Sequence, residues 1–434
     1  MVEGREESRF KALLKSTLGK TRAWPYLLKA RFFFHRLLAF LVTLPVRTRN
    51  RLAVRLASPE KVRDLLLSRD FYGSDYFDSD KNPLLESGYG SSYGENPDFR
   101  DVALLARDLL GAKKAMDIGC AKGYLVLALL QESVEAWGVD ISQYALDQAP
   151  PEVRERLMLA DIARAELPED SFDLLLALEV LEHVSPEEIA GVVKRLWRFT
   201  SRYLWATIPS YGANPYGPDG CLEGKILPRC IGLYRDHLID RAQLHHMTCD
   251  LRGLPIHGHL IAASFDWWTA LFTSLGFVRR GDLERVINQK VRSAQEGIWN
   301  CFLLEKVRPS PLRKPLGLEA DNFSPGIHGS WISHPFPLPS GTYRAEARFR
   351  LDGSLRGKRA GERILTLSCL SDDSERVYGM RLPTRGELEK SGGMSLAELE
   401  WTISSDGMGE AVVRLAPTPG LRLEPLRVNL YPVE

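Results

Sequence analysis

The chain has 434 residues, with 57 Lys and Arg against 56 Asp and Glu, 44% hydrophobic residues and six cysteines. At roughly 100–200 residues per domain there is room for two or three domains with cores of their own. The balanced charge excludes a uniformly basic nucleic-acid binder. Sparse cysteines, none spaced as CxxC, exclude a disulfide scaffold, a zinc ribbon and a thioredoxin-type redox motif, and point to a reducing, cytoplasmic setting.

The charge is unevenly spread. Residues 1–56 carry 13 Lys and Arg and 3 Asp and Glu, so the remainder of the chain is net acidic. Within that arm, Arg31 to Leu44 is rich in Phe and Leu and flanked by Lys29, Arg47, Arg49, Arg51 and Arg55. Its uncharged stretch from Leu37 to Val46 is far shorter than the ~20 residues of a spanning helix, and no small-residue cleavage site follows as a signal peptide requires. Residues 1–69 are expected to form a basic, partly amphipathic helical arm. Two placements stay open: residues 1–56 lie on an anionic membrane, peripheral on its inner face, or the arm packs on the next domain with its basic face in water.

Ser58-Pro59 caps a short predicted helix reaching Ser68. The segments Phe71 to Asp80 and Ser87 to Gly94 read as loop, with interleaved Tyr and Phe able to close over a ligand or simply to pack. Helix and strand then alternate. Helices are expected over Phe99–Leu110, Gly123–Gln131, Gln143–Gln148 and Phe265–Leu275, with another capped by Ser185 and Glu188 as a capping box. Strands are expected at Lys114–Ile118, Ala136–Val139, Leu157–Leu159, Phe172–Leu178, Tyr203–Ile208 and Trp299–Val307. This order predicts an α/β domain over 70–307, a doubly wound, Rossmann-like, mostly parallel sheet. Residues 308–317, with Pro309, Pro311 and Pro315, form a linker. Beyond it the period becomes two, as in Tyr343–Leu351, with further strands at Ile364–Leu370, Glu398–Ile403, Ala411–Leu415 and Leu426–Leu430. Residues 318–434 are predicted to be an all-β antiparallel sandwich, similar in outline to carbohydrate-binding modules.

The segment Met116 to Tyr124 joins the first strand of the alternating region to its helix, where a glycine turn lets a ligand approach the backbone at the carboxyl edge of the sheet. The dinucleotide pattern GxGxxG would need glycine at 119, 121 and 124 and finds only Gly119. The pattern DxGxGxG is met by Asp117, Gly119 and Gly123, with Ala121 as the departure.

On these residues the chain resembles class I S-adenosylmethionine-dependent methyltransferases over about residues 70–307. The resemblance implies S-adenosylmethionine as cofactor, with Asp117 near its methionyl end, Asp140 on the ribose hydroxyls and Asp161 beside the adenine. Gly119, Cys120, Gly123, Ile141, Ile162 and Glu179 complete the implied cofactor site. Glu179, Glu182 and His183 form an E-x-x-E-H run similar to that of quinone-biosynthesis O-methyltransferases, where such residues can hold a divalent ion. Here the run is open to three roles: base, metal ligand or structural loop. The histidines at 245, 246, 257 and 259 match no standard zinc spacing. Gly258 to Phe277 resembles a segment of methyltransferases encoded with bacterial surface-polysaccharide genes, and makes His259 a second candidate base. The insertion from Pro209 to Asp250, with Tyr211, Tyr216, Tyr234, Lys225, Arg229 and Arg235, is long enough to be a lid or binding element.

The expected function is O-methylation of a sugar hydroxyl on a polysaccharide or lipid-linked glycan. The alternatives are O-methylation of a small phenolic or quinone-like acceptor, and a non-catalytic glycan-assembly scaffold, for which Ala121 is the sequence support. No nucleic-acid partner is expected.

Overall fold

The computed structural model describes residues 72–77, 94, 96–185, 187–211, 261, 263–295, 300–307, 316–339, 341–353, 355, 360–391, 396–405 and 410–433. The N-terminal arm, most of the aromatic loop to residue 94, the body of the insertion after Tyr211 and most of the linker lie outside these residues.

Helix α1 (Ser74–Phe77) precedes α2 (Pro97–Asp108), whose start is set by Asn96: its side chain accepts the Asp98 N–H at 3.0 Å, and Pro97 supplies a first residue that needs no N–H partner. Then follow β1 (Lys114–Ile118), α3 (Tyr124–Gln131), β2 (Glu135–Asp140), α4 (Gln143–Asp147), β3 (Leu157–Leu159), β4 (Phe172–Leu178), α5 (Ile189–Phe199) and β5 (Thr200–Thr207). The five strands pair in parallel in the order β3-β2-β1-β4-β5. After the short β6 (Ser210–Tyr211) and β7 (Ala263–Ser264) come α6 (Phe265–Ser274), β8 (Phe277–Arg280), α7 (Gly281–Lys290), α8 (Arg292–Gln295) and β9 (Cys301–Lys306). Strand β9 runs antiparallel between β5 and β8. Leu174–Ala177 of β4 and Tyr203–Ala206 of β5 are buried on both faces and read as short unbroken apolar runs. One face carries Val102, Leu125, Val126, Trp205 and Ile287, the other Val193, Leu196, Phe265, Trp268 and Phe302. This is the α/β architecture the alternating pattern predicts.

One local expectation fails. Ser185 does not cap a helix through its side chain; its carbonyl accepts the N–H groups of Glu188 and Ile189, both at 3.0 Å, and its hydroxyl donates to Glu188 Oε2 at 3.1 Å. With Glu188 thus engaged, α5 begins at Ile189 with Glu188 at its cap position.

The C-terminal region is antiparallel and β-rich: β10 (Leu316–Glu319), β11 (Phe323–Pro325), β12 (Trp331–Ser333), β13 (Phe336–Pro337), β14 (Gly341–Gly353), β15 (Leu365–Ser371), β16 (Arg376–Arg381), α9 (Arg385–Lys390), β17 (Ala397–Ser405), β18 (Glu410–Pro417) and β19 (Leu421–Pro432). Strict alternation in β14 buries Tyr343, Ala345, Ala347, Phe349 and Leu351, as its period of two requires. Strands β10, β19, β14 and β17 form one sheet. The other, β11-β12-β18-β15-β16, continues directly into the α/β sheet, because β16 pairs with β8 at Arg376↔Arg280 and Val377↔Arg279. The described residues thus form a sheet of 13 strands across both regions.

Candidate active site

The carboxyl ends of β1, β2, β3 and β4 surround a cavity of about 480 Å³, within the usual size range of small-ligand sites. Its floor is the turn after β1. Gly119 and Cys120 both donate their N–H groups to the Val139 carbonyl, at 2.7 and 3.1 Å, which folds the turn back onto β2. Gly119 has φ +71°, and a Cβ there would stand 2.5 Å from Val180 Cγ2, so the position admits only glycine. Gly123, φ +76°, opens α3. Between them Ala121 is also left-handed, with φ +47°.

Asp140 ends β2 and is anchored to this turn. Its Oδ2 accepts the Ala121 N–H and its Oδ1 the Ser142 N–H, each at 2.7 Å. Burial raises its carboxyl above the ordinary range, against the pull of those N–H donors. Asp117 lies beneath the cavity rather than on its lining, 4% exposed. Burial, with the Asp140 charge second, pushes its carboxyl well above the ordinary range. Cys120 and Gly123 also stand behind the lining, whereas Gly119, Asp140, Ile141, Asp161, Ile162, Glu179 and His183 face the cavity.

Asp161 closes the β3 side. Its Oδ1 accepts the Ala163 N–H at 2.9 Å and its Oδ2 pairs with Arg164. Arg164 reaches on to Glu188 Oε1 at 3.2 Å, and Ser185 holds the other oxygen of Glu188. This bridge from the β3 loop to the start of α5 is not anticipated by the motif reading; the Asp161/Arg164 spacing of three, with opposite charges, is its only mark in the sequence.

Across the cavity, Glu179 also adopts a left-handed backbone, φ +58°, held by donation of its N–H to Thr207 O at 2.9 Å. A turn of 3-10 helix, Leu181–His183, follows. Glu182 is fully buried, and burial, reinforced by Glu179, pushes its carboxyl well above the ordinary range. His183 Nε2 lies 3.8 Å from Glu182 Oε1. Tyr72, Tyr76 and Phe77 of the aromatic segment do line the cavity. The Tyr72 and His183 rings meet edge to face at 5.9 Å, and Ser142 Oγ donates to the Tyr72 carbonyl at 2.5 Å, which ties α1 to the β2 side. The insertion leaves and returns at this edge: β6 pairs in parallel with β7, and the Ile261 N–H donates to Glu182 O at 3.0 Å. His259 and the histidines at 245, 246 and 257 lie outside the described residues. Among the described residues no group of three or more His, Cys, Asp or Glu is placed to hold a metal ion.

Residues 115–202 match a family described as a methyltransferase domain. The chain is 33% identical over 121 residues to the ubiquinone biosynthesis O-methyltransferase of Methylococcus capsulatus, covering 26% of this chain and 50% of that protein. It is 35% identical over 107 residues to the protein of the same name from Stutzerimonas stutzeri, covering 23% and 46%. The chain therefore spans about half the length of the curated relatives it matches. Among solved structures, the 1,6-didemethyltoxoflavin-N1-methyltransferase of Burkholderia thailandensis aligns with 58% of this chain and 92% of its own, at 14% identity and a TM-score of 0.35.

Proposed function

We propose that this protein is an S-adenosylmethionine-dependent O-methyltransferase whose acceptor is a small phenolic or quinone-like hydroxyl compound. The observation that carries the reading is Asp140: a buried carboxyl fixed by the Ala121 and Ser142 N–H groups at the mouth of a glycine turn, and lining the cavity. That donor set fits the ribose of the cofactor, Asp161 and Ile162 supply a wall for its adenine, and the room above Gly119 suits a close backbone approach. Ala121, although not glycine, keeps its N–H on Asp140, so the departure from the motif leaves the anchor intact.

When bound, S-adenosylmethionine supplies a methyl group made electrophilic by the sulfonium. The chain's own residues then have three tasks. Tyr72, Tyr76 and Phe77 cover the cavity and exclude water; the 3-10 turn and the Tyr72 ring orient His183; and His183 takes the acceptor's hydroxyl proton on a ring nitrogen. The phenolic class is supported by the aromatic wall and by relatives named for ubiquinone biosynthesis. A sugar acceptor finds no such support among the relatives. The arm over 1–56 keeps its proposed role as an anchor on anionic membranes.

Calorimetric titration with S-adenosylmethionine, followed by mass-spectrometric assay on a catechol panel, tests the reading. Binding is expected, with Asp140→Ala abolishing it and His183→Ala sparing binding while lowering kcat by about 10²–10⁴. A folded wild-type protein that does not bind the cofactor overturns the proposal.

A further inference from the structure

Helix α1 is too short to hold its own place. Its four residues close on Gly73, whose carbonyl accepts the Tyr76 and Phe77 N–H groups at 3.1 and 3.2 Å, and helices of this length do not persist in water without outside contacts. Those contacts come from both sides of the cavity. On the β2 side Ser142 Oγ donates to the Tyr72 carbonyl at 2.5 Å, and the Phe77 ring stacks on Tyr144 of α4 with centroids 6.3 Å apart. On the β4 side the Tyr72 and Tyr76 rings meet His183 edge to face at 5.9 and 6.4 Å. The segment thus crosses the cavity as a strap, with Tyr72, Tyr76 and Phe77 all lining it.

Ser142 joins this strap to the cofactor site. Its N–H donates to Asp140 Oδ1 at 2.7 Å, its Oγ accepts the Ala145 N–H at 3.1 Å, and the same hydroxyl gives its one proton to the Tyr72 carbonyl. At 1% exposure, Ser142 meets almost no water that could replace that carbonyl. A ligand held on Asp140 therefore lies beneath a strap pinned two residues further along the chain. The opposite end of the cavity is bridged by Arg164, which is 69% exposed.

We infer that Ser142 is the latch of this strap: S-adenosylmethionine enters, and S-adenosylhomocysteine leaves, by release of the Ser142 to Tyr72 hydrogen bond and lifting of α1. The inference rests on the methyltransferase reading and adds a gate to it. Ser142 is a positioning residue, acting through Tyr72. Opening of such covers often sets the rate of product release. A latch slows passage in both directions and leaves affinity nearly untouched, whereas a binding residue changes affinity.

Binding and release of tritiated S-adenosylhomocysteine by the full chain, followed by rapid filtration, read the gate. Ser142→Ala should speed both alike by about 2–10-fold, the range for one hydrogen bond, with little change in Kd. Ser142→Thr keeps the hydroxyl and should restore the parent's rates. Phe77→Leu loosens the strap without touching the cap of α4, and should also speed both. Hydrogen exchange of the Tyr76 and Phe77 amides should rise in Ser142→Ala. Faster release with unchanged binding, and exchange rising in α4 alone, would make Ser142 a helix cap only and overturns the inference. Rates unmoved by Ser142→Ala and Phe77→Leu overturn it too, as do rates raised by Arg164→Ala in their place, which would put the gate at the other end. In those cases the methyltransferase reading stands, because it falls only if the wild-type chain does not bind S-adenosylhomocysteine.

Discussion

Two residues that line the cavity, Ala121 and Glu179, hold left-handed backbones although neither is glycine. Such positions cost on the order of 1–2 kcal/mol and persist where surrounding bonds over-determine them: Asp140 holds Ala121, and Thr207 holds Glu179. Ala121→Gly should therefore raise unfolding free energy by about 0.5–1 kcal/mol, the relief of strain being partly offset by greater chain entropy in the unfolded state; denaturant melts would show it, and a loss of stability would contradict the strain argument. Asp117 gives a prediction with a sign in pH. Its folded carboxyl keeps its proton to higher pH than in the unfolded chain, so above about pH 4 the native state binds more protons and stability falls as pH rises. Asp117→Asn should be more stable than the parent at neutral pH, with the advantage vanishing as pH falls toward 4. Stability curves that stay parallel across that range would count against it. At this scale the sequence is informative where spacing carries meaning. Asp117, Gly119, Asp140 and Asp161 are legible because each lies at or just past the carboxyl end of a strand, whereas the left-handed Ala121 and the double commitment of Arg164 depend on partners remote in sequence.

Element by element, long runs with one period are readable and short or charged ones are not. Helix α6 announces itself by Ser264 before it and Gly276 after it, and Ser264 does accept the Trp267 N–H at 3.1 Å. Strand β8 escapes notice because Phe277–Arg280 ends in two arginines. Only folding shows that Arg279, 2% exposed, is neutralised by Glu284 at 2.9 Å from α7. Helix α6 also explains how the C-terminal region is seated. Thr273 Oγ1 donates to Thr269 O at 2.9 Å and accepts the Met380 N–H of β16 at 3.1 Å, while Arg363 pairs with Asp266 at 2.7 Å. Thr273→Val keeps the volume and removes the acceptor, so it should cost about 1–2 kcal/mol. Faster hydrogen exchange confined to the Met380 amide and its neighbours would identify the cause.

For the whole molecule, the change of period after residue 340 reveals a β-rich region, but not its attachment. Two paired residues joining β16 to β8 leave no local trace in the sequence. The attachment matters for stability, because Val278 and Val307 belong to the same core as Phe349, Leu367 and Tyr378. A chain ending at residue 307 would expose that surface and leave β8 with an open edge. It is expected to aggregate or to bind hydrophobic dyes; a soluble, cooperatively melting fragment with full cofactor affinity would refute the interdependence. The outward face of the four-stranded sheet is a ladder of opposite charges, with Arg344 to Glu400 at 3.1 Å, Arg348 to Glu398 at 3.0 Å and Arg350 to Glu424 at 3.3 Å, each worth about 0.2–1 kcal/mol. No described helix is long and apolar enough to cross a membrane.

A continuous ribbon of this length has consequences for how the protein behaves in concentrated solution. Fibrillar association is seeded by a long, flat strand with unused backbone groups. Among the described residues the ribbon terminates in β3 and β11, three residues each, and β11 ends in Pro325, which has no N–H to offer. The smaller sheet does end in a nine-residue strand, β17, but it carries Glu398 and Glu400, each paired with an arginine of β14, so its outward face is charged rather than apolar. Extending the sheet through β8 and β16 thus converts two would-be edges into one interior seam, and the extension guards against self-templating as well as tying the two regions together.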